Sequence, residues 1–81
     1  MKKLGLINYE GDCLTAIKEG DHFSIVDQWK EEVAYLSSTE FNEFIDGTIS
    51  ILDSRGKSWY YPEHHIDARP SLAKIYEFLK D

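Results

Sequence analysis

The feature of this sequence that most limits its fold is how often it signals a turn. Glu10-Gly11, Glu19-Gly20 and the segment 53–56 each interrupt a short run rich in apolar residues. Short runs bounded by glycine and acidic residues are typical of antiparallel strands joined by tight loops. The sequence therefore predicts a meander of short strands, followed by a separate hairpin.

The first hairpin is predicted around a two-residue loop at 10–11. That loop pairs Ile7 with Leu14 and leaves Leu4 and Leu6 on the opposite face of the sheet. A strand that is apolar on both faces is unusual in a flat sheet with one solvated side. The pattern predicts a strongly curved sheet or a partly open barrel.

Two registers are open for the second hairpin. A loop at 19–20 pairs Leu14 with Ile25, whereas a loop at 20–21 pairs Leu14 with Asp27. We prefer the first register, because a slip of one residue moves a side chain to the wrong face of the sheet.

A short helix is predicted directly after a fourth strand at Val33–Leu36. Ser37 and Glu40 have the spacing of a capping box, and Gly47 suits the left-handed residue after a helix. The apolar stripe of this helix consists of Phe41, Phe44 and Ile45.

The segment 49–61 carries the clearest hairpin signal. A type I turn at 53–56, with Gly56 in a bulge, pairs Ile51 with Trp59 and places Tyr61 on the same face. Trp59 and Tyr61 are therefore expected in the core, and Tyr60 on the more polar face.

A last helix is predicted to begin between Asp67 and Ser71. Its apolar stripe consists of Leu72, Ile75, Tyr76 and Leu79, with Phe78 at the edge. The predicted order is β-β-β-β-α-β-β-α in one domain, 1–81. This is an α+β fold in which a small antiparallel sheet or partly open barrel of five to six short strands packs against one inserted and one C-terminal helix.

The overall charge disfavours two classes of partner. Fifteen acidic against nine basic residues give a formal net charge of -6. This sign opposes binding to nucleic acid and to anionic membranes. The apolar stretch after Lys2 and Lys3 is too short for a secretory signal, and the lone Cys13 can form no intrachain disulfide. We expect a cytoplasmic protein that does not span a membrane.

No spacing of residues in the sequence matches a known catalytic or metal-binding motif. The ligand types Cys13, His22, His64 and His65 lack zinc-site spacing, and whether they converge is left open. The preferred register puts His22 opposite Ile17, away from Cys13, so the thiol lacks a base. With no nucleophile elbow and no phosphate-binding loop, we expect no enzymatic activity, no cofactor and no metal.

Exposed tyrosine and tryptophan with arginine nearby are typical of protein-binding hot spots. The expected interaction surface consists of Tyr60, Arg55, Lys57, Arg69, His64, His65 and Trp29. These residues predict a non-enzymatic protein-interaction, accessory or regulatory module, and free sheet edges also allow self-association. The alternative is a small-ligand-binding module that uses the aromatic and histidine region 59–69.

Overall fold

The computed structural model describes residues 2–8, 10–61 and 69–80. These residues form a four-stranded antiparallel sheet in the order β1-β2-β3-β4, a two-stranded sheet β5-β6, and two helices. In chain order the elements are β1 (Lys3–Ile7), β2 (Cys13–Glu19), β3 (His22–Asp27), β4 (Glu32–Ser37), α1 (Ser38–Ile45), β5 (Ile51–Leu52), β6 (Ser58–Trp59) and α2 (Leu72–Leu79). The α+β class and the element order are confirmed, but the described strands form no closed barrel.

The register of the first hairpin corrects the prediction. Leu6 lies opposite Leu14 and Ile7 opposite Cys13, one residue away from the predicted pairing. The loop is longer than two residues, because the Asn8 side chain bonds to the turn that follows it. Leu4 and Leu6 therefore share the buried face with Leu14, and Ile7, which was predicted to pair with Leu14, lies on the opposite, exposed face.

The second hairpin adopts the register that we did not prefer. Its loop is Gly20-Asp21, with Gly20 at a φ of 65°, and Leu14 lies opposite Asp27. This pairing puts a carboxylate on the buried face of the sheet. It is tolerated because the Asp27 oxygens accept backbone hydrogen bonds, which compensate for burial of a charged group.

Helix α1 is capped as the sequence predicts. The Ser37 hydroxyl accepts a hydrogen bond from the Glu40 N–H at 3.2 Å, and the Glu40 Oε1 accepts one from the Ser37 N–H at 3.0 Å. Gly47 follows the helix with a φ of 83°. The predicted stripe of Phe41, Phe44 and Ile45 is buried.

The β5–β6 hairpin also confirms its prediction. Ile51 lies opposite Trp59, and Gly56 has a φ of 81°. Trp59 and Tyr61 are 1% and 0% exposed, so both belong to the core.

Helix α2 begins after the N-cap Ser71, but its buried face differs from the predicted stripe. Ile75 and Phe78 are buried, whereas Leu72 and Tyr76 are 69% and 68% exposed. Phe78 turns inward because its ring packs 5.7 Å from those of both Phe23 and Phe41. The helix therefore buries a face that differs from the apolar stripe predicted from its own sequence.

The core lies on one face of the four-stranded sheet, beneath the two helices and the β5–β6 hairpin. The other face of the sheet carries Ile7 and Tyr35, which are 51% and 55% exposed. Within the described residues, neither helix has the length and apolar character needed to cross a membrane.

Candidate interaction surface on three hairpin turns

Three of the hairpin turns share one local structure. Each begins with an Asn or Asp whose side chain accepts hydrogen bonds from the backbone N–H groups two and four residues later, at 2.9 to 3.0 Å. The residue three positions after it has a positive φ in every case. The initiating residues are Asn8, Asp27 and Asp53, and the left-handed residues are Gly11, Lys30 and Gly56. Such side-chain bonds hold the turn in one conformation.

All three turns lie at the same end of the molecule. Neighbouring strands of the four-stranded sheet are antiparallel, so the turns after β1 and β3 lie at the same end of that sheet, and direct contacts place the turn after β5 beside them. Direct contacts join them: the Ser54 N–H donates to Asp27 Oδ2 at 3.0 Å, and Lys57 Nζ lies 2.9 Å from Glu10 Oε2. Six exposed residues of these turns make up what we call the three-turn surface: Glu10, Gln28, Trp29, Lys30, Arg55 and Lys57. Binding residues concentrate on loops held by such a scaffold.

Asp27 is the residue that connects two of the turns. Its Oδ1 accepts from the N–H groups of Trp29 and Glu31, while its Oδ2 accepts from Ser54. Burial disfavours the charged carboxylate, but the hydrogen bonds from Ser54, Glu31 and Trp29 outweigh burial and hold the pKa of Asp27 below its ordinary value. Sequence reasoning missed this role, although an Asn or Asp lies three positions before the left-handed residue of each of these three turns.

Trp29 and Arg55 form the centre of the three-turn surface. The Arg55 guanidinium carbon lies 4.3 Å from the centroid of the Trp29 ring, in a cation–π arrangement. Trp29 remains 40% exposed, and Arg55 is exposed as well. The structure thus brings together two residues that the sequence placed on the interaction surface from separate segments.

Lys57 also belongs to the three-turn surface, but its charge is engaged within the molecule. Its ammonium lies 2.8 Å from Asp12 Oδ2 and 2.9 Å from Glu10 Oε2. Hydrogen bonds to Asp12 and Glu10 raise the pKa of Lys57 above its ordinary value. This triad ties the first turn to the third.

The other predicted interaction residues lie elsewhere. Tyr60, 38% exposed, lies farther along the β5–β6 hairpin, on the outward side that also carries Leu52. Arg69 lies away from the hairpin turn, with its Nη2 3.0 Å from the position that a Cβ on Gly47 would take. His64 and His65 fall outside the described residues.

The thiol and the described histidine do not converge. Cys13 begins β2, whereas His22 lies opposite Glu19 at the other end of that strand, which corrects its predicted place opposite Ile17. His22 Nδ1 lies 2.8 Å from Asp21 Oδ1, and its ring stacks on that of Tyr35. Within the described part of the chain, no three His, Cys, Asp or Glu residues group so that they could hold a metal ion.

Comparison with protein-family models, curated proteins and solved structures finds no match for this chain. The function is therefore inferred from the chemistry and placement of its own residues.

Proposed function

We propose that this chain is a non-enzymatic protein-interaction module with an accessory or regulatory role, and that it contacts its partner through the three-turn surface. The observation that carries the proposal is the exposed Trp29–Arg55 pair on turns that are tied together. Tryptophan and arginine are the residue types that contribute most to protein–protein binding energy.

The rigidity of the three turns supports this proposal. Binding costs free energy whenever loops and side chains must be ordered on contact with the partner. Here each turn is held by its own Asn or Asp, and Asp27 and Lys57 connect the turns to one another. A preformed surface of this kind presents Trp29 without an ordering cost in its backbone.

The charge of the chain bears on the kind of partner. A net charge of -6 accelerates encounter with a basic protein and slows encounter with an acidic one. On the three-turn surface, Lys30 and Arg55 are cationic, next to the exposed Glu31. We propose a protein partner, in the cytoplasm, that is basic or neutral overall and offers an apolar pocket for Trp29.

Native mass spectrometry of the protein isolated gently from its own host tests this proposal. We expect a second protein in the complex, and we expect Trp29→Ala to abolish its recovery. The matched control is Tyr76→Ala, which removes an aromatic ring that is 68% exposed on α2, far from the turns. Equal loss of the partner in both variants, or no effect of Trp29→Ala, would contradict the proposal.

The alternative, a small-ligand-binding module using the region 59–69, is favoured by one observation. Trp59 Nε1, Tyr61 Oη and Arg69 Nε are buried without hydrogen-bond partners among the described residues. Buried donors left unpaired are costly, and a ligand that offers acceptors would satisfy them. A small added mass on the isolated protein, with quenched Trp59 fluorescence, would support this alternative over a protein partner.

A further inference from the structure

The outer edge of β1 carries backbone groups that are available for pairing. Lys2 O accepts from the Lys18 N–H, and the Asn8 N–H donates to Asp12 O, so these opposed residues are hydrogen-bonded pairs. In an antiparallel ladder every second residue then turns its N–H and C=O groups away from the neighbouring strand. In β1 these residues are Lys3, Gly5 and Ile7. Among the described residues, no backbone–backbone hydrogen bond uses their outward groups.

Nothing in the described part of the chain covers this edge. Edge strands are commonly blocked by a bulge, a proline or an inward-pointing charge. The β1–β2 pairing has a continuous register, β1 is the outermost strand of the sheet, and Lys3, Gly5 and Ile7 are exposed. The edge is therefore open to a second strand.

A cleft adjoins the edge between β1 and α2. Its volume is about 330 Å³, and its lining residues are Lys2, Lys3, Leu4, Lys74, Glu77 and Phe78. Leu4 and Phe78 belong to the buried core and form an apolar floor. Because Lys3 and Leu4 project to opposite faces of the sheet, the cleft extends around the strand edge and does not lie over one face.

The cleft is basic in a chain that is acidic overall. Three lysines and one glutamate line it, whereas the whole chain has a net charge of -6. The Lys2 ammonium donates to the backbone oxygens of Glu77 and Lys80 at the end of α2. Lys3 and Lys74 are exposed, and within the described residues their side chains have no hydrogen-bond or ion-pair partner. Two cations therefore remain for a ligand.

We propose that the β1 edge and this cleft bind an extended acidic segment of another protein by strand addition. The backbone of that segment pairs with Lys3, Gly5 and Ile7. Its side chains on one face place carboxylates beside Lys3, and those on the other face place an apolar group on the cleft floor, which Lys74 also lines. The cleft lies at the end of β1 away from the three-turn surface, and the site does not depend on that surface.

The first test uses a blocked peptide of about seven residues that alternates glutamate and valine, long enough to pair along a five-residue strand. Amide hydrogen exchange, followed by NMR, reports on the edge itself. We expect the outward amides of Lys3, Gly5 and Ile7 to exchange at least about tenfold more slowly when the peptide is bound. A matched peptide with lysine in place of glutamate should give no protection. Protection by both peptides, protection elsewhere in the molecule, or no binding would overturn the proposal.

Two variants test separately the backbone pairing and the charge attraction. Gly5→Pro removes an N–H group that points away from β2 and leaves the hydrogen bonds between β1 and β2 intact, so it should abolish binding. The double change Lys3→Glu, Lys74→Glu should weaken binding by at least about tenfold. Lys30→Glu reverses a charge on the three-turn surface and should leave the affinity unchanged, as should Trp29→Ala. If Lys30→Glu weakened binding as much as the double change does, the loss would reflect the net charge of the chain and not the two lysines of the cleft. That result would contradict the proposed site.

Gly5→Pro and the unmodified chain should also be compared by sedimentation without peptide. We expect both to be monomeric. A concentration-dependent dimer that Gly5→Pro abolishes would overturn the proposal, because it would show that the edge serves a second copy of the chain.

Discussion

Lys30 occupies a backbone conformation that the other two turns of this kind give to glycine. Its φ is 65°, close to the 87° of Gly11 and the 81° of Gly56. A left-handed conformation costs a residue with a side chain about 1–2 kcal/mol. Strained residues that persist are often functional, and Lys30 lies on the three-turn surface beside Trp29. Its place there is consistent with contact to a partner.

Replacing Lys30 with glycine should therefore stabilise the fold. We expect Lys30→Gly to raise the free energy of unfolding by about 0.5–1 kcal/mol, because the relief of strain exceeds the extra entropy that glycine loses on folding. Urea denaturation measures the change. The converse variant Gly56→Lys should cost a similar amount, since a Cβ there would meet no atom within 4 Å and only backbone strain is added. A stabilising Gly56→Lys would refute this account of the turns.

At the scale of elements, α2 shows how a partner distant in sequence selects the buried face of a helix. The apolar residues of α2 allow two overlapping stripes, one through Tyr76 and one through Phe78. Phe78 is buried because Phe23 and Phe41 stack with a centroid separation of 4.3 Å and leave a place for a third ring. The apolar pattern of the α2 sequence alone cannot show that Phe23 and Phe41 leave a site for this ring.

The two faces of α2 should differ sharply in their contribution to stability. Phe78→Ala should lower the free energy of unfolding by about 3–5 kcal/mol, as expected for an aromatic side chain removed from a packed core. Tyr76→Ala should change it by less than about 0.5 kcal/mol, because the ring is 68% exposed. Urea denaturation of the two variants compares them directly. Similar losses in both would mean that the predicted stripe, and not the observed one, faces the core.

Most elements with local determinants were predictable from sequence, and those with distant determinants were not. The capping box of α1 and the β5–β6 hairpin depend on residues within a few positions, and both were predicted correctly. The predicted register of β2 and β3 was wrong because the buried Asp27 finds donors in its own turn and in the distant turn after β5. The predicted register of β1 and β2 was wrong although its determinant is local, because the Asn8 side chain closes a longer turn than the one expected. A slip of one residue then reverses which side chains are buried.

At the scale of the whole molecule, contacts between turns of two different sheets assemble the candidate site. Trp29 and Arg55 were both predicted to be surface residues, but their contact depends on how the β5–β6 hairpin packs against the turn after β3. Arg69 was grouped with Arg55 because both are near Tyr60 in sequence, yet Arg69 lies by Gly47. The sequence therefore indicated the residue types of the site better than their arrangement.

The tethering of the three turns should make the molecule sensitive to acid. Burial opposes the charged form of Asp27, but the hydrogen bonds that it accepts together outweigh burial and lower its pKa below 3.8, its ordinary value. The folded state therefore binds this proton less readily than the unfolded chain does. The stability that Asp27 contributes is complete above its unfolded pKa and is lost as the pH falls through the lower, folded value. We expect Tm to be constant near neutrality and to fall below about pH 5.

Asp27→Asn isolates this contribution. The amide oxygen can still accept from Trp29 and Glu31, as the Asn8 amide does in its own turn, but the NH₂ group opposes the Ser54 N–H. We expect Tm at neutral pH to fall by at least about 5 °C and the decline below pH 5 to become shallower. Asp53→Asn is the matched control, because one oxygen of Asp53 accepts both of its hydrogen bonds and an amide can replace it. Thermal unfolding followed by circular dichroism should show little change in that control. Equal losses in the two variants would mean that the bond from Ser54 to Asp27 does not hold the turns together.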